Sequence, residues 1–209
     1  MTKSAIAAVL VFVATLAVGA APGAAAADAT ITELVTPIAF YPDALVAQVL
    51  VASAHGEEIA QAAAWLEDEA PWRERERAQA IDDQTWHPEV KALAMTPPVL
   101  GAMRRNPAWT VALGEAYARN APEVLNAVQA VRHTAQAAGA LGTTSGQRVI
   151  VRGSAIVLEP VDATFVYVPG VGVFDVGAAD RFAWGWQHWQ VDWQSGAAAY
   201  QNRPDPSPH

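Results

Sequence analysis

Cysteine is absent from all 209 residues. No disulfide can staple this chain, no thiol can act as nucleophile or metal ligand, and no cysteine acylation can tether it to lipid, so its stability must come from packing. Lysine is almost as scarce, with only Lys3 and Lys91. Thirteen basic residues face 21 acidic ones, for a net charge of −8. Phosphate backbones and anionic lipid heads are bound mainly through lysine and arginine, so this balance argues against nucleic acid and polybasic membrane docking. Long apolar runs are equally rare. The longest, Ala5 to Val18, follows the charged start MTK and precedes small residues ending in Ala25-Ala26-Ala27, the pattern of a secretory signal. At fourteen residues it falls short of the ~20 that a membrane-spanning helix needs. The expectation is export, cleavage near Asp28, no transmembrane anchor in the mature form, and a periplasmic or secreted protein. Loss of Lys3 would leave 12 basic residues against 21 acidic ones.

What is present is regularly punctuated. Pro42, Pro71, Pro88, Pro97, Pro107 and Pro122 each precede an apolar-periodic run. Proline suits the first helical position, where its missing N–H would be unpaired anyway, so these positions read as helix starts. Thr96 and Asn106 stand where N-caps belong, and Gly56 stands where a helix should stop. Between Pro122 and Ala138, residues Val124, Val128, Val131, Ala135 and Ala138 form an apolar stripe, with Asn126, Gln129, His133 and Gln136 on another face. Trp109, Leu113 and Tyr117 repeat at helical spacing, and Leu45, Val46, Val49 and Leu50 form a similar face. The run EDEAPWRERERAQAIDD, Glu67 to Asp83, alternates in sign and reads as a solvated helix with Glu69–Arg73 and Glu74–Arg77 pairs.

After the breaker cluster LGTTSG, the valine-rich stretch from Arg148 to Val176 reads as a small antiparallel meander that must pack one face on the helices. The predicted fold class is therefore mainly α with a small β appendage (α+β). It comprises an irregular bundle of about seven short helices and the meander. The expected divisions are a signal peptide (1–27), a helical domain (28–142), the meander (143–177), and a Trp-rich segment with a loose tail (178–209).

Three stretches taken together, TPIAFYPDALVAQVLVAS (Thr36 to Ser53), WHPEVKALAMTPPVLGAMRRNPAWTVALGEAY (Trp86 to Tyr117) and IVLEPVDATFVYVPG (Ile156 to Gly170), resemble a family of exported Gram-negative bacterial proteins. That family is described as a domain of unknown function. The resemblance covers roughly 31–170 and implies localisation and architecture, but supplies no activity, substrate or catalytic residue. On physical grounds FYPDAL and WHPEV are helix-entry corners. The residue before proline is extended, proline opens the helix, and the acid complements its positive end.

Candidate chemistry is sparse. His55, His87, His133, His188 and His209 fall in no metal-ligand pattern, so neither a metal nor a cofactor is expected. His188 and Asp192 would share a face only in a helix. Ser53, Ser145, Ser154, Ser195 and Ser207 lack a nucleophile elbow or an evident base. Gly114-Glu115 invites comparison with lytic transglycosylases, but the downstream segment of such enzymes is missing and Glu115 is spaced to pair with Arg119. No catalytic residue is assigned.

The remaining candidate is WGWQHWQVDW, Trp184 to Trp193, which holds four of the eight tryptophans. As a helix at ~100° per residue it would set Phe182, Trp186, Trp189 and Trp193 within about 60°. As strands, Phe182, Trp184 and Trp186 alternate, then Trp189, Val191 and Trp193, with a phase slip at Gln187-His188. Such rings either close a core or serve a partner, so Phe182, Trp184, Trp186, Trp189 and Trp193 are the candidate binding residues. The function expected is that of a non-enzymatic exported envelope protein of unspecified role, a binding or structural module, with an envelope protein or cell-wall glycan as the partner if it binds. The alternative is a carboxylate-dependent peptidoglycan hydrolase or lyase.

Overall fold

The computed structural model describes residues 29–68 and 73–200. The expected signal peptide, Pro71 and the terminal segment 201–209 lie outside the described residues. Eight α-helices come first: α1 (Ile31–Val35), α2 (Asp43–Ala52), α3 (Gly56–Asp68), α4 (Glu74–Asp82), α5 (Pro88–Ala94), α6 (Pro97–Arg105), α7 (Pro107–Arg119) and α8 (Ala121–Ala137). Six strands follow: β1 (Gln147–Arg152), β2 (Ala155–Pro160), β3 (Phe165–Val168), β4 (Gly172–Asp175), β5 (Trp189–Asp192) and β6 (Ala197–Tyr200). The fold is mainly α with a small β part.

Proline placement explains most helix starts. Pro88, Pro97 and Pro107 open α5, α6 and α7, Pro122 lies in the first turn of α8, and Pro42 is the N-cap of α2. The capping works differently from expectation at two sites. Thr96 and Asn106 occupy N-cap positions, yet their side chains turn backwards: Thr96 Oγ1 donates to the Leu93 carbonyl at 3.1 Å and Asn106 Nδ2 to that of Ala102 at 2.8 Å. A single residue links α6 to α7, so its side chain satisfies the carbonyls of the helix it leaves. True side-chain caps occur at Thr30, which forms a capping box with Glu33, and at Asn120, which accepts from the Glu123 N–H. Gly56 does not end α2, which closes at Ala52; it begins α3.

α2 is the axis of the molecule. Every residue of DALVAQVLVA except Val51 is buried, more than the one face read from the sequence, because α5, α7, β2, β5 and β6 surround it. α7 crosses closely at Gly114, where a Cβ would come within 2.8 Å of the Ser53 carbonyl oxygen. That contact explains the glycine beside Glu115. The acidic-basic run Glu67 to Asp83 is not one helix, because Arg73 is the extended N-cap of α4. Glu69 of the expected Glu69–Arg73 pair lies outside the described residues, and Glu67 pairs with Arg104 of α6 at 2.6 Å.

The β part is three separate two-stranded antiparallel sheets, β1–β2, β3–β4 and β5–β6, and not one meander. The reason lies on the outer edge of β2. Ile156 donates its N–H to Gln129 Oε1 at 2.8 Å and accepts from Gln129 Nε2 at 3.1 Å and Arg132 Nη1 at 2.7 Å, while the Leu158 N–H donates to Asp43 Oδ1 at 3.2 Å. Side chains of α8 and α2 thus occupy the edge that β3 would need.

Candidate functional site

The Trp-rich segment folds back onto the helices. It forms neither one helix nor one strand: a 3-10 turn over Trp186–His188 occupies the phase slip, and β5 begins at Trp189. Trp184, Trp186 and Trp189 are buried. Trp184 Nε1 donates to Asp82 Oδ1 of α4 at 2.8 Å, and Trp189 Nε1 to the Trp184 carbonyl at 3.0 Å with its ring 5.0 Å from that of Tyr200. Phe182 stacks on Trp184, centroids 5.2 Å apart, and the Arg181 guanidinium lies 4.6 Å from the Phe182 centroid. These rings close the core. Tyr117 and Gly196 anchor the last hairpin: the Ala198 N–H donates to Tyr117 Oη at 2.8 Å, and Gly196, at φ 69°, passes too close to Pro122 to carry a side chain.

Beneath Trp193 lies a buried ion pair. Arg132, completely buried, donates from Nε to the Ala39 carbonyl (2.7 Å), from Nη1 to Asp43 Oδ1 (2.7 Å) and the Ile156 carbonyl, and from Nη2 to the Tyr41 carbonyl (3.0 Å). Asp43 Oδ1 also accepts from Leu158, and its Oδ2 accepts from Trp193 Nε1 at 2.7 Å. The Trp193 ring covers the guanidinium at 4.9 Å. Burial pushes the Asp43 carboxyl above its ordinary range, opposed by the Arg132 charge and by the donors from Trp193, Arg132 and Leu158. Burial likewise lowers Arg132, with Asp43 opposing. Both carboxylate oxygens are engaged by donors, so Asp43 joins α2, α8, β2 and the β5–β6 turn as a structural tie.

This tie forms one wall of a cleft of about 400 Å³ between β2 and β5, lined by Trp186, Trp189, Trp193, Glu159, Arg152 and Asp192 among others. Three of the five candidate rings therefore meet at one cleft; Trp184 bonds to α4 instead, and Phe182 stacks on Trp184. Of the polar residues at this cleft, Asp43 was read from the sequence only as a helix-entry acid and Asp192 only beside His188, while Arg152 and Glu159 were not singled out. A signal existed for Arg132, which continues the buried spacing of Val124 and Val128 at i+8. Arg152 and Glu159 meet within the β1–β2 hairpin, whereas Asp192 comes from the separate β5–β6 hairpin, so only tertiary packing brings all three to one cleft.

Among the other predicted positions, Glu115 is exposed on α7 and lines neither this cleft nor the apolar one of about 370 Å³ between α1, α6 and α7. His133 is exposed and bonds the Ser154 carbonyl at 2.8 Å, while His188 and Asp192 end a 3-10 turn and a strand, so they share no helical face. His55 and His87, distant in sequence, are stacked against each other.

A family of proteins of unknown function, DUF3300, matches residues 27–202. The chain belongs to this family. It is 40% identical over 123 residues to the uncharacterized protein YacH of Escherichia coli (strain K12), an overlap covering 58% of this chain and 20% of the relative. The matched region thus spans about a fifth of that relative's length. No solved structure matches the chain. Among the described residues, no helix is long and apolar enough to cross a membrane.

Proposed function

We propose that this protein is an exported cell-envelope module that holds a glycan of the cell wall, without converting it, in the cleft between β2 and β5. The observation that carries this reading is the composition of the cleft: the half-buried Trp193 offers apolar indole surface backed by the largely covered Trp186 and Trp189, while Arg152, Glu159, Gln190, Asp192 and Gln194 supply charged and amide groups along it. Sugars present apolar C–H faces flanked by hydroxyls, and a site of indoles edged with hydrogen-bonding groups is complementary to both. The charged N-terminus, apolar run and small residues before Asp28 support export. The donors crowded on Asp43 speak for binding over turnover, because a general acid needs a proton free to give.

The test is titration of soluble glycan-strand fragments into the tag-free protein, followed by tryptophan fluorescence and calorimetry. Saturable binding is expected, weakened at least ~10-fold in Arg152→Ala and Gln190→Ala, two exposed positions whose loss leaves the core intact. No new reducing ends should form. Absence of binding, binding indifferent to both substitutions, or catalytic release of fragments would each overturn the reading.

A further inference from the structure

A second cluster lies at the N-termini of α3 and α5, apart from the cleft. His55 directly precedes α3, Glu58 sits in its first turn, His87 is the N-cap of α5, and Glu89 lies in the first turn of α5. The imidazoles of His55 and His87 stack with centroids 3.9 Å apart and planes inclined by 23°. Each is held by one carboxylate: His55 Nε2 to Glu89 Oε1 at 2.8 Å, and His87 Nδ1 to Glu58 Oε1 at 2.8 Å. Glu58 also accepts the His87 backbone N–H on its other oxygen at 2.8 Å. Helix dipoles account for carboxylates in first turns. They do not account for two imidazoles brought face to face from separate elements.

We infer that His55, Glu58 and His87 form a binding site for a divalent transition-metal ion, with Zn²⁺ the best match, and that Glu89 orients His55 from behind. One ligand atom from each of the three residues lies within 4.8 Å of the others. Tetrahedral Zn²⁺, with bonds of about 2.0 to 2.2 Å, sets its ligand atoms about 3.3 to 3.6 Å apart, so the ligand atoms are near bonding spacing. The two rings, inclined by only 23°, must turn out of their stack to bring one ion into the plane of both. Two imidazoles and one carboxylate form a borderline donor set, better suited to Zn²⁺ than to Mg²⁺ or Ca²⁺. Glu89 on the ring N–H of His55 gives the carboxylate–histidine support that metal sites use to fix ring orientation. The His87 side chain is 52% exposed, so an ion can enter and solvent can fill the remaining position. This inference is independent of the glycan reading.

The test uses the tag-free full chain, treated with chelator and dialysed. It is titrated with Zn²⁺ by calorimetry and with Co²⁺ by visible absorption. One equivalent should bind saturably in the micromolar range, with Co²⁺ showing the intense bands of a tetrahedral centre. His87→Asn, which retains a good N-cap residue at an exposed position, and His55→Ala should each weaken uptake at least ~10-fold, and Glu89→Gln should do so by roughly 10-fold through orientation. Circular dichroism checks that each variant is folded; should His55→Ala not fold, His87→Asn decides. No saturable uptake, or uptake unchanged in His87→Asn, overturns the site.

Discussion

Replacing Asp43 with alanine probes the interior most sharply. In the native fold Asp43 is the acidic partner of Arg132, whose side chain is 0% exposed, and it accepts from Arg132, Leu158 and Trp193. Asp43→Ala leaves the guanidinium with three carbonyl acceptors, those of Ala39, Tyr41 and Ile156, but without this counter-charge. Removing one member of a buried ion pair costs about 3 to 5 kcal/mol, because the surviving charge stays desolvated. Against a total stability of ~5 to 15 kcal/mol this is a large fraction. At ~2 to 4 °C per kcal/mol for a chain of this size, the melting temperature should fall by roughly 6 to 20 °C. Arg132→Met should cost less. It removes the charge, and Asp43, whose carboxyl burial already pushes up, can take a proton and keep its bonds to Leu158 and Trp193. In urea denaturation followed by tryptophan fluorescence, the double variant should be more stable than the sum of the two losses by about 2 kcal/mol or more. An Asp43→Ala cost below ~1 kcal/mol, the range of exposed pairs, or additivity within ~0.5 kcal/mol, would refute the reasoning.

Two further outcomes are expected. Gly114→Ala places a Cβ 2.8 Å from the Ser53 carbonyl oxygen and 2.9 Å from its carbon. It should therefore destabilise by about 1 to 3 kcal/mol, although alanine is the better helix former by ~1 kcal/mol. A raised melting temperature would show that α2 and α7 do not approach as described. Asp192 is held below the usual carboxylate range by the Ser195 hydroxyl first, then by the backbone N–H groups of Ser195 and Gln194. A depressed pKa contributes stability above the unfolded value that is lost as pH falls through the folded one. Ser195→Ala should raise the Asp192 pKa part of the way toward the ordinary carboxylate range, the backbone donors remaining, as read by carboxyl NMR titration. An unchanged titration would show that the turn does not hold the carboxylate.

Helical architecture was legible because its signals are local. A proline at N1 reports on its own peptide, and of the stripe Val124, Val128, Val131, Ala135 and Ala138 the first two are buried, while Val131 and Ala135 are partly covered and Ala138 is exposed. Capping was half legible. The sequence marks Thr96 and Asn106 as boundary residues, but which of two abutting helices a side chain serves depends on the link between them. The single meander was wrong for a non-local reason, since strand pairing requires a free edge and β2 spends its own on Gln129, Arg132 and Asp43. At the cleft, the tryptophans were visible as composition, but their sorting into core and wall was not. The paired histidines carried no sequence spacing at all, because a site assembled from two helix starts has no fixed interval along the chain.

By itself, then, the sequence determined the absence of thiol chemistry, the acidic surface, the mainly α-helical composition and most of the positions where helices begin. These follow from residue identity and short-range sterics. Tertiary structure alone decided that α2 is wrapped on all sides, that a buried arginine meets an aspartate from another helix, that three tryptophans share a cleft, and that two histidines stack. Each of these depends on which surfaces are pressed together to remove apolar area from water, and that choice is settled by the whole chain at once.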